Sequence, residues 1–413
     1  MVSRQHPTMG RTLRISGIPK DITKKALKDS LESLLSDKNQ RKGLIFSLVP
    51  NRDDDEQTAT VTFERDTEPP LFAQCVSGRR VEIELDGVGE DLVVDCDFLG
   101  MTPLYSDDDP KVDIIAVTRL AGHAFGSWKS PTSGKMWLRD FLPIGLRGCH
   151  ARILTFGYDS TLQNSLSSSS LQQFSRQLLD ATANSRASEK EKHRPLIFIG
   201  HSIGGLVIKQ ALVEARPPHG SVHDQAILES CTSLFFFGVP NKGLNETNLV
   251  DLLKGQPNAD FVNDLREGSA FLDLAYDSFL RGFTHDDCKI TSFYEMQFTK
   301  TLVEIDGKWM REGEPVQMVT KDSATWASRT EALPDQVPLE ANHSTLVKFS
   351  DRHDNKYEVV LGRIREQVVE AAEVIKKRHG HASTHGEHLY EDVEKVRQRR
   401  VEQFTPYAST TRA

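Results

Sequence analysis

The sequence predicts an α/β protein in which a mostly parallel sheet, flanked by helices, follows a small α+β unit. Two observations predict this. In the second part of the chain, continuous apolar runs recur between helix-length segments, a pattern typical of strands buried on both faces of a parallel sheet. In the first part, apolar and polar residues alternate over short segments, as in strands with one solvated face. We therefore expect two units, at residues 1–98 and 112–377.

Length and composition agree with a globular protein of this kind. The chain has 413 residues, of which 38% are hydrophobic and 27% are charged, and its net charge is −8. An acidic chain has no general attraction to nucleic acid or to an anionic membrane. Five scattered cysteines without a C-x-x-C pair predict no disulfide framework and no zinc site, and favour an intracellular, cytoplasmic location. No apolar run reaches about 18 residues, so no transmembrane segment is predicted.

The first unit, residues 1–98, has the segment order of a small α+β domain. A helix is predicted at DITKKALKDSLESLL, and strands are predicted at TLRISGIP, LIFSLVP, TATVTFE and RVEIELD. This order resembles the RNA-recognition-motif fold. The positions that would stack on bases are poorly filled, because the first strand offers Ile15 and the third offers Phe63. We therefore expect no nucleic-acid partner and favour a structural or protein-binding role.

The second unit follows a linker predicted at 99–111, where Pro, Gly and Asp accumulate. Its strands are predicted at VDIIAV, ARILTFGY, PLIFIG, SLFFFGVP, KITSFYE and EPVQMVT, and its main helices at SLQQFSRQLLDATANS, GLVIKQALVEA and YEVVLGRIREQVVEAAEVIKK. Residues 241–286 are predicted to be helical, either as a cap or wall beside a substrate or as scaffold helices on the sheet. Residues 378–413 are predicted to form a polar tail.

The segment PLIFIGHSIGGLVIKQAL carries the strongest chemical signal. Residues 200–204 form a G-x-S-x-G motif between an apolar strand and an amphipathic helix, which is the context that a nucleophile elbow requires. So sharp a turn tolerates small neighbours only, and the helix N-terminus beneath the serine favours developing negative charge. The sequence therefore predicts Ser202 as a nucleophile and the Ile203 N–H as an oxyanion donor. His201, beside the nucleophile, is predicted to contact substrate.

A serine nucleophile needs a base, which in this arrangement follows both the serine and the acid in the chain. His343, in PLEANHSTLVKF, lies late in the chain, just ahead of the last helix, and is the predicted base. The residues alone leave two acids open. Glu295 ends the predicted strand KITSFYE, and Asp322 follows EPVQMVT. Either carboxylate could orient His343 by accepting its N–H, and we favour Glu295.

Several motifs, in order along the chain, resemble the lipase-like serine esterases of the α/β-hydrolase superfamily. They are VDIIAV…GHAFGSW, MWLRDFLP, ARILTFGYDS, GHSIGGLVIKQAL, FFGVPNKG, SFYE, KDSA and NHSTLVKF. The resemblance is strongest to the intracellular branch of serine-active-site proteins linked to phospholipid remodelling, and to fungal proteins that carry such a hydrolase ahead of nucleotide-binding and repeat domains. It implies an α/β-hydrolase fold, no metal or organic cofactor, and an acid from the segment SFYE, which is Glu295 here.

One segment departs from that family. The first strand normally ends in His-Gly, whereas this chain has Thr118-Arg119, and the second oxyanion N–H is expected nearby, at Leu120. If the position of Arg119 requires a positive φ, an arginine there costs about 1 kcal/mol or more. Loss of one oxyanion donor lowers kcat roughly 10²–10³-fold. Alternatively, Arg119 binds an anionic group of the substrate, such as a phosphate or carboxylate, or points to solvent.

As a whole, the sequence predicts a serine hydrolase that cleaves or transfers an acyl group from a small-molecule or lipid-like ester through an acyl-enzyme. The alternative is a catalytically weak hydrolase fold that acts in protein interaction or signalling, with the N-terminal unit binding a protein partner. Thr118-Arg119 keeps that alternative open.

Overall fold

The computed structural model describes residues 9–35, 43–51, 56–64, 67–159, 170–245, 259–283, 285–301, 303–305, 308–325, 327–328 and 331–378. In this part of the chain, each predicted unit contains one large sheet. No helix among these residues is long and apolar enough to cross a membrane.

The N-terminal unit is an antiparallel sheet with a helix on one face. Its elements are β1 (Met9–Pro19), α1 (Lys24–Ser33), β2 (Ile45–Pro50), β3 (Glu56–Glu64), β4 (Val81–Leu85) and β5 (Gly89–Asp95). The strands lie in the order β2-β3-β1-β5-β4. Thr23 begins α1 by accepting a hydrogen bond from the Ala26 N–H at 3.1 Å. The predicted helix and strands are present, and β5 is an addition to them.

The two faces of this sheet differ in composition. Ile15 and Phe63 are 0% and 1% exposed and pack with α1, so neither could stack on a base. The opposite face carries threonines, and Thr60 and Thr62 are completely buried there. Between β3 and β4, where the RNA-recognition-motif fold has its second helix, the regular structure among the described residues is the 3-10 turn Pro70–Phe72. The resemblance to that fold is not confirmed.

The second unit is built on a seven-stranded sheet with helices on both faces. Its strands are β6 (Gly100–Ser106), β7 (Val112–Val117), β8 (Ala151–Gly157), β9 (Leu196–His201), β10 (Cys231–Phe237), β11 (Lys289–Glu295), β12 (Thr299–Lys300), β13 (Val303–Ile305), β14 (Lys308–Met310), β15 (Pro315–Val316) and β16 (Gln336–Leu339). Its helices are α2 (Trp137–Asp140), α3 (Leu142–Gly145), α4 (Leu171–Asn184), α5 (Glu189–Lys192), α6 (Ile203–Glu214), α7 (Val222–Ser230), α8 (Ala259–Asn263), α9 (Ala270–Gly282), α10 (Lys321–Ala324) and α11 (355–378).

The large sheet has the order β16-β11-β10-β9-β7-β8-β6. Neighbouring strands are parallel, except that β6 runs antiparallel to β8. Because alternate residues of a strand point to opposite faces, Ile115 and Phe236 pack with α4, α6, α7 and α9, while Ile114 and Phe235 pack with α2, α3 and α11. The predicted mostly parallel sheet with flanking helices is confirmed.

Residues 99–111, predicted as a linker, contain a strand of the large sheet. β6 pairs with β8 at one edge of the sheet. Pro103 interrupts the strand pattern of this segment, but an edge strand tolerates a proline because one of its sides needs no ladder hydrogen bond. The same reason applies to β16 at the other edge, which contains Pro338 and is not among the predicted strands.

One further prediction is corrected, and another lies partly outside the described residues. EPVQMVT was expected to be a strand of the sheet, but its strand residues are those of β15, which pairs with β12 outside the large sheet. Of the predicted helical region 241–286, α8 and α9 are described, and α9 packs in the same core as α6, as a scaffold helix does. Residues 246–258 and the predicted tail from 379 onward lie outside the described residues.

Candidate active site

Ser202 lies in the turn between β9 and α6, where the sequence predicts an elbow. Its backbone has φ 55° and ψ −127°, a conformation that a non-glycine residue rarely adopts. Its N–H donates to the Phe237 carbonyl oxygen at 2.9 Å, and its own carbonyl oxygen accepts from the Gly205 N–H at 3.0 Å. These bonds hold the strained serine at the C-terminal ends of β9 and β10.

Two glycines of the motif are required by close approach. A Cβ on Gly204 would lie 2.4 Å from the Val117 carbonyl oxygen, and a Cβ on Gly200 would lie 2.6 Å from the Gly205 Cα. Neither glycine has a positive φ. The elbow therefore touches the end of β7 at a distance that any larger residue would prevent.

His343 follows β16 in a loop and reaches the serine. Its Nε2 lies 2.9 Å from the Ser202 Oγ. Its backbone N–H donates to the Thr299 Oγ1 at 3.1 Å, which fixes the loop. The structure therefore brings the predicted base next to the predicted nucleophile.

Glu295 ends β11 and is completely buried. Its Oε2 accepts from the His343 Nδ1 at 2.8 Å, and its Oε1 accepts from the backbone N–H groups of Met318 and Val319 at 2.7 and 3.3 Å. Since Nδ1 carries the proton donated to the carboxylate, Nε2 is the acceptor that faces the Ser202 hydroxyl. Glu295 thus selects the tautomer of His343 that a general base needs.

Asp322, the other acid left open by the sequence, does not contact His343. It lies in α10, with its side chain 69% exposed, and pairs with Lys242 at 2.6 Å. Of the two carboxylates, Glu295 is the one at hydrogen-bond distance from the imidazole.

His201, predicted to contact substrate, is completely buried. Its Nε2 donates to the His343 carbonyl oxygen at 3.0 Å, and the two ring centroids are 5.3 Å apart. Burial, followed by the charges of His343 and Arg119, lowers the pKa of His201 well below its usual value. His201 is therefore a neutral donor that holds the backbone of the base.

The oxyanion roles predicted for Ile203 and Leu120 depend on two backbone segments. Ile203 is the first residue of α6, so its N–H has no carbonyl partner within the helix. The loop that contains Leu120 begins against the elbow, since the Thr118 carbonyl oxygen would lie 2.5 Å from a Cβ on Gly204. The Tyr158 hydroxyl donates to that carbonyl oxygen at 2.9 Å and fixes its position.

Backbone strain in this loop lies at Ala121. Ala121 has a φ of 50°, whereas Arg119 is outside the set of residues with positive φ. The cost of about 1 kcal/mol that an arginine would meet in a left-handed conformation therefore does not arise at Arg119.

No protein-family profile matches this chain. Among curated proteins, it is 25% identical over 299 residues to Protein SERAC1 from Bos taurus and 24% identical over 299 residues to Protein SERAC1 from Homo sapiens, with 66% of this chain covered in each case. The matched region spans 41% of the length of these relatives.

The solved structures that it resembles are hydrolases. Phospholipase PlaB from Legionella pneumophila matches with a TM-score of 0.33 and 13% identity, over 45% of this chain and 39% of that chain. A lipase-esterase related protein from Clostridium acetobutylicum matches with a TM-score of 0.33 and 11% identity, over 65% and 99%. The type II thioesterase YbtT matches with a TM-score of 0.37 and 11% identity, over 66% and 98%.

The resemblance predicted from the motifs is confirmed. These proteins are of the lipase-like and thioesterase kind, and the similarity to SERAC1 is modest. Because the TM-scores are low, the description of the hydrolase fold rests on this chain's own strand order and elbow.

Positive charge lies near His201, the neighbour of Ser202 in the chain, since the charges of Arg119 and Lys348 both lower its pKa. Arg119 and Lys348 are both half-buried, and no carboxylate in the described part of the chain forms an ion pair with either of them. Burial and the neighbouring Arg311 lower the pKa of Arg119, and burial and Arg119 lower the pKa of Lys348. An anionic group placed here would relieve both effects.

Three residues at the site were missed by sequence reasoning. Gly238 has a φ of 54°, and a Cβ on it would lie 3.0 Å from the His343 Nδ1. A glycine directly after the buried run SLFFF could have signalled this approach. Thr299, which holds the His343 N–H, and Trp128, whose ring lies 6.2 Å from that of His201, carry no such signal.

The described residues contain no group of three or more His, Cys, Asp or Glu side chains that could hold a metal ion. The histidines of HGHASTH lie outside those residues.

Proposed function

We propose that this protein is a serine hydrolase that cleaves or transfers an acyl group from an ester through an acyl-enzyme. The observation that carries the proposal is a continuous hydrogen-bonded chain of three buried groups. The Ser202 Oγ lies 2.9 Å from the His343 Nε2, and the His343 Nδ1 lies 2.8 Å from the Glu295 Oε2. Nucleophile, base and orienting acid in this order are the groups that acyl transfer requires.

The proposed reaction has two steps. The Ser202 Oγ attacks the ester carbonyl carbon while the His343 Nε2 takes the hydroxyl proton, and the N–H groups of Ile203 and Leu120 stabilise the oxyanion. The imidazolium formed faces the Glu295 carboxylate and returns the proton to the leaving alcohol. Water, or another acceptor, then attacks the acyl-enzyme with His343 again acting as base.

The surroundings of the three residues favour a substrate with an apolar chain and an anionic group. Met296 and Phe298 lie one and three residues after Glu295 and are 52% and 66% exposed, so they offer apolar surface just beyond the end of β11. Arg119 and Lys348 form no ion pair with a carboxylate among the residues that the structure describes, so their positive charge would attract a phosphate or carboxylate.

A fluorophosphonate probe tests the proposal, because it reacts covalently with an activated serine. Wild-type protein should be labelled, and Ser202→Ala should not. A parallel assay with 4-nitrophenyl esters of increasing acyl length should show hydrolysis by the wild type alone and identify the preferred chain. Labelling that persists in Ser202→Ala would locate the reactive serine elsewhere and refute the assignment.

A second candidate function is a catalytically weak hydrolase fold that serves protein interaction or signalling. It is favoured by Thr118-Arg119, which replaces the usual His-Gly beside the oxyanion site. The same experiment separates the two. Folded, monodisperse wild-type protein that takes no label and hydrolyses no ester would support the interaction role and exclude the enzyme.

A further inference from the structure

We propose that the N-terminal unit is a working part of the catalytic site, because it fixes, through His123, the loop that carries the second oxyanion donor. We call residues 118–128 the oxyanion loop. The inference rests on the proposed function, since it assigns to Leu120 an N–H whose position matters for the reaction. It gives the N-terminal unit a catalytic purpose that does not depend on an external partner.

The oxyanion loop touches the candidate site at both of its ends. At its start, the Thr118 carbonyl oxygen lies against Gly204 of the elbow. At its end, the buried Trp128 ring lies 6.2 Å from the ring of His201, which donates to the backbone of His343. A displacement of this loop would therefore move groups next to both nucleophile and base.

His123 is the residue that holds the middle of the loop. Its Nδ1 accepts hydrogen bonds from the backbone N–H groups of Phe125 and Gly126 at 3.1 and 2.9 Å. With Nδ1 occupied as an acceptor, the proton lies on Nε2, which donates to the Cys96 carbonyl oxygen at 2.6 Å. One imidazole therefore joins the oxyanion loop to the residue that follows β5 of the N-terminal unit.

The segment on the N-terminal side of this bond is itself held firmly. The buried Asp95 accepts from the Phe98 N–H at 2.8 Å and from the Arg14 Nε at 2.7 Å, and Arg14 also reaches the Thr102 Oγ1 at 2.8 Å. The Phe98 ring, completely buried, lies 5.2 Å from the ring of His123. Residues 95–102 thus form a segment that is hydrogen-bonded to Arg14 of β1 and that contains the Cys96 carbonyl group.

Further contacts between the two units lie at or next to the oxyanion loop. Arg139 donates to the Thr60 Oγ1 at 3.1 Å, and its guanidinium group lies 4.9 Å from the centre of the Phe125 ring. Lys129, just after the loop, donates to the Gly10 carbonyl oxygen at 2.9 Å. The threonine face of the N-terminal sheet, which an RNA-binding domain would expose, is therefore occupied by the hydrolase unit.

Correct placement of an oxyanion donor matters most in the transition state. A misplacement of about 1 Å can lower the rate about 100-fold, and complete loss of a donor lowers kcat by roughly 10²–10³. Because ground-state binding uses this N–H less, loss of the His123 link should lower kcat and leave KM nearly unchanged. His123 is a positioning residue in this scheme.

Two substitutions of His123 each remove one of its two hydrogen-bonding roles, as acceptor at Nδ1 and as donor at Nε2. In His123→Asn the side-chain oxygen can replace Nδ1 as acceptor for the loop N–H groups, but the side chain is too short to reach Cys96. In His123→Gln the amide nitrogen can still reach the Cys96 carbonyl oxygen, but the loop N–H groups lose their acceptor. His123 joins the loop to the N-terminal unit only when it bonds both to the loop N–H groups and to Cys96. Loss of either set of hydrogen bonds should therefore lower kcat about ten- to a hundredfold at nearly constant KM.

The full-length variants should be assayed on a 4-nitrophenyl ester, with active sites counted by end-point labelling with fluorophosphonate. Gln57→Leu is the control. It removes hydrogen bonds from Gln57 to the carbonyl oxygens of Pro19, Lys20 and Ile22, inside the N-terminal unit and away from the oxyanion loop. It should lower thermal stability without lowering kcat per active site.

The outcomes separate this inference from the proposed function. An active wild type together with a wild-type kcat in His123→Asn would overturn the inference and leave the hydrolase intact. A fall of kcat in Gln57→Leu equal to that in His123→Asn would also overturn it, because general destabilisation would then explain both. A wild type that neither takes the label nor hydrolyses the ester would refute the proposed function, and the inference with it.

Discussion

Replacing Glu295 by glutamine should remove most of the activity while leaving the fold intact. The Glu295 Oε1 accepts two backbone N–H groups, from Met318 and Val319, so a glutamine would place its carbonyl oxygen there. Its NH₂ group would then face the His343 Nδ1 at about 2.8 Å and donate to it. His343 would be forced into the tautomer with its proton on Nε2, which faces the Ser202 Oγ and could no longer act as a base.

The expected magnitude follows from this change of tautomer. Loss of the acid from a serine triad lowers kcat roughly 10⁴-fold. At 1.36 kcal/mol for each tenfold change, that is about 5 kcal/mol of transition-state stabilisation. The buried amide keeps the volume and the two backbone hydrogen bonds of the carboxylate, so the melting temperature should change little.

The assay is steady-state hydrolysis of a short 4-nitrophenyl ester, with Asp322→Asn as the matched control. Asp322 is mostly exposed and its pair with Lys242 lies at the surface, so its loss should change kcat by less than about twofold. A kcat of Glu295→Gln within about tenfold of wild type would refute the assignment of the acid, since so small a loss is inconsistent with a reversed tautomer.

Three further outcomes follow from the described contacts. Gly204→Ala places a methyl group 2.4 Å from the Val117 carbonyl oxygen, so we expect a loss of ester hydrolysis of at least about tenfold, and full activity would contradict the close approach. Burial lowers the pKa of Lys209 to about 7. Between pH 7 and the ordinary pKa of a lysine, the unfolded chain therefore holds a proton at Lys209 that the folded chain lacks. The free energy of unfolding consequently rises with pH across this range. Lys209→Met should lack that rise in urea denaturation at pH 7 and 9, and an unchanged slope would refute the assignment. Arg119→Gly should lower the ratio of kcat/KM for an anionic over a matched neutral ester about tenfold, and an unchanged ratio would leave Arg119 without a role in binding.

The central strands of the second unit could be predicted from the sequence, and its edge strands could not. The central strand β7 was predicted with the bounds observed, because burial on both faces requires a nearly continuous apolar run. β6 and β16 have one unpaired side each and therefore tolerate Pro103 and Pro338. In the sequence, those prolines are indistinguishable from the prolines of a loop.

The candidate site also contains residues that the sequence could predict and contacts that it could not. Ser202, Glu295 and His343 were predictable, because the motif, the strand ends and the chain order each limit where such groups can lie. The choice between two acids and the burial of His201 were not, since both depend on how distant loops pack. The link from His123 to Cys96 was also hidden, because it ends on a backbone carbonyl group, which every residue possesses.

The replacement of His-Gly by Thr118-Arg119 has a different meaning once the loop is seen. A glycine is favoured where the backbone is left-handed, and in this chain the left-handed residue is Ala121, next to the pair Gly122 and His123. A left-handed alanine is unfavourable by about 1 kcal/mol and persists only where its surroundings hold it. The hydrogen bonds of His123 to the loop and to the N-terminal unit supply that constraint. Residue 119 is thereby released from the requirement for glycine, which explains how an arginine can precede Leu120, the proposed oxyanion donor, without a left-handed backbone.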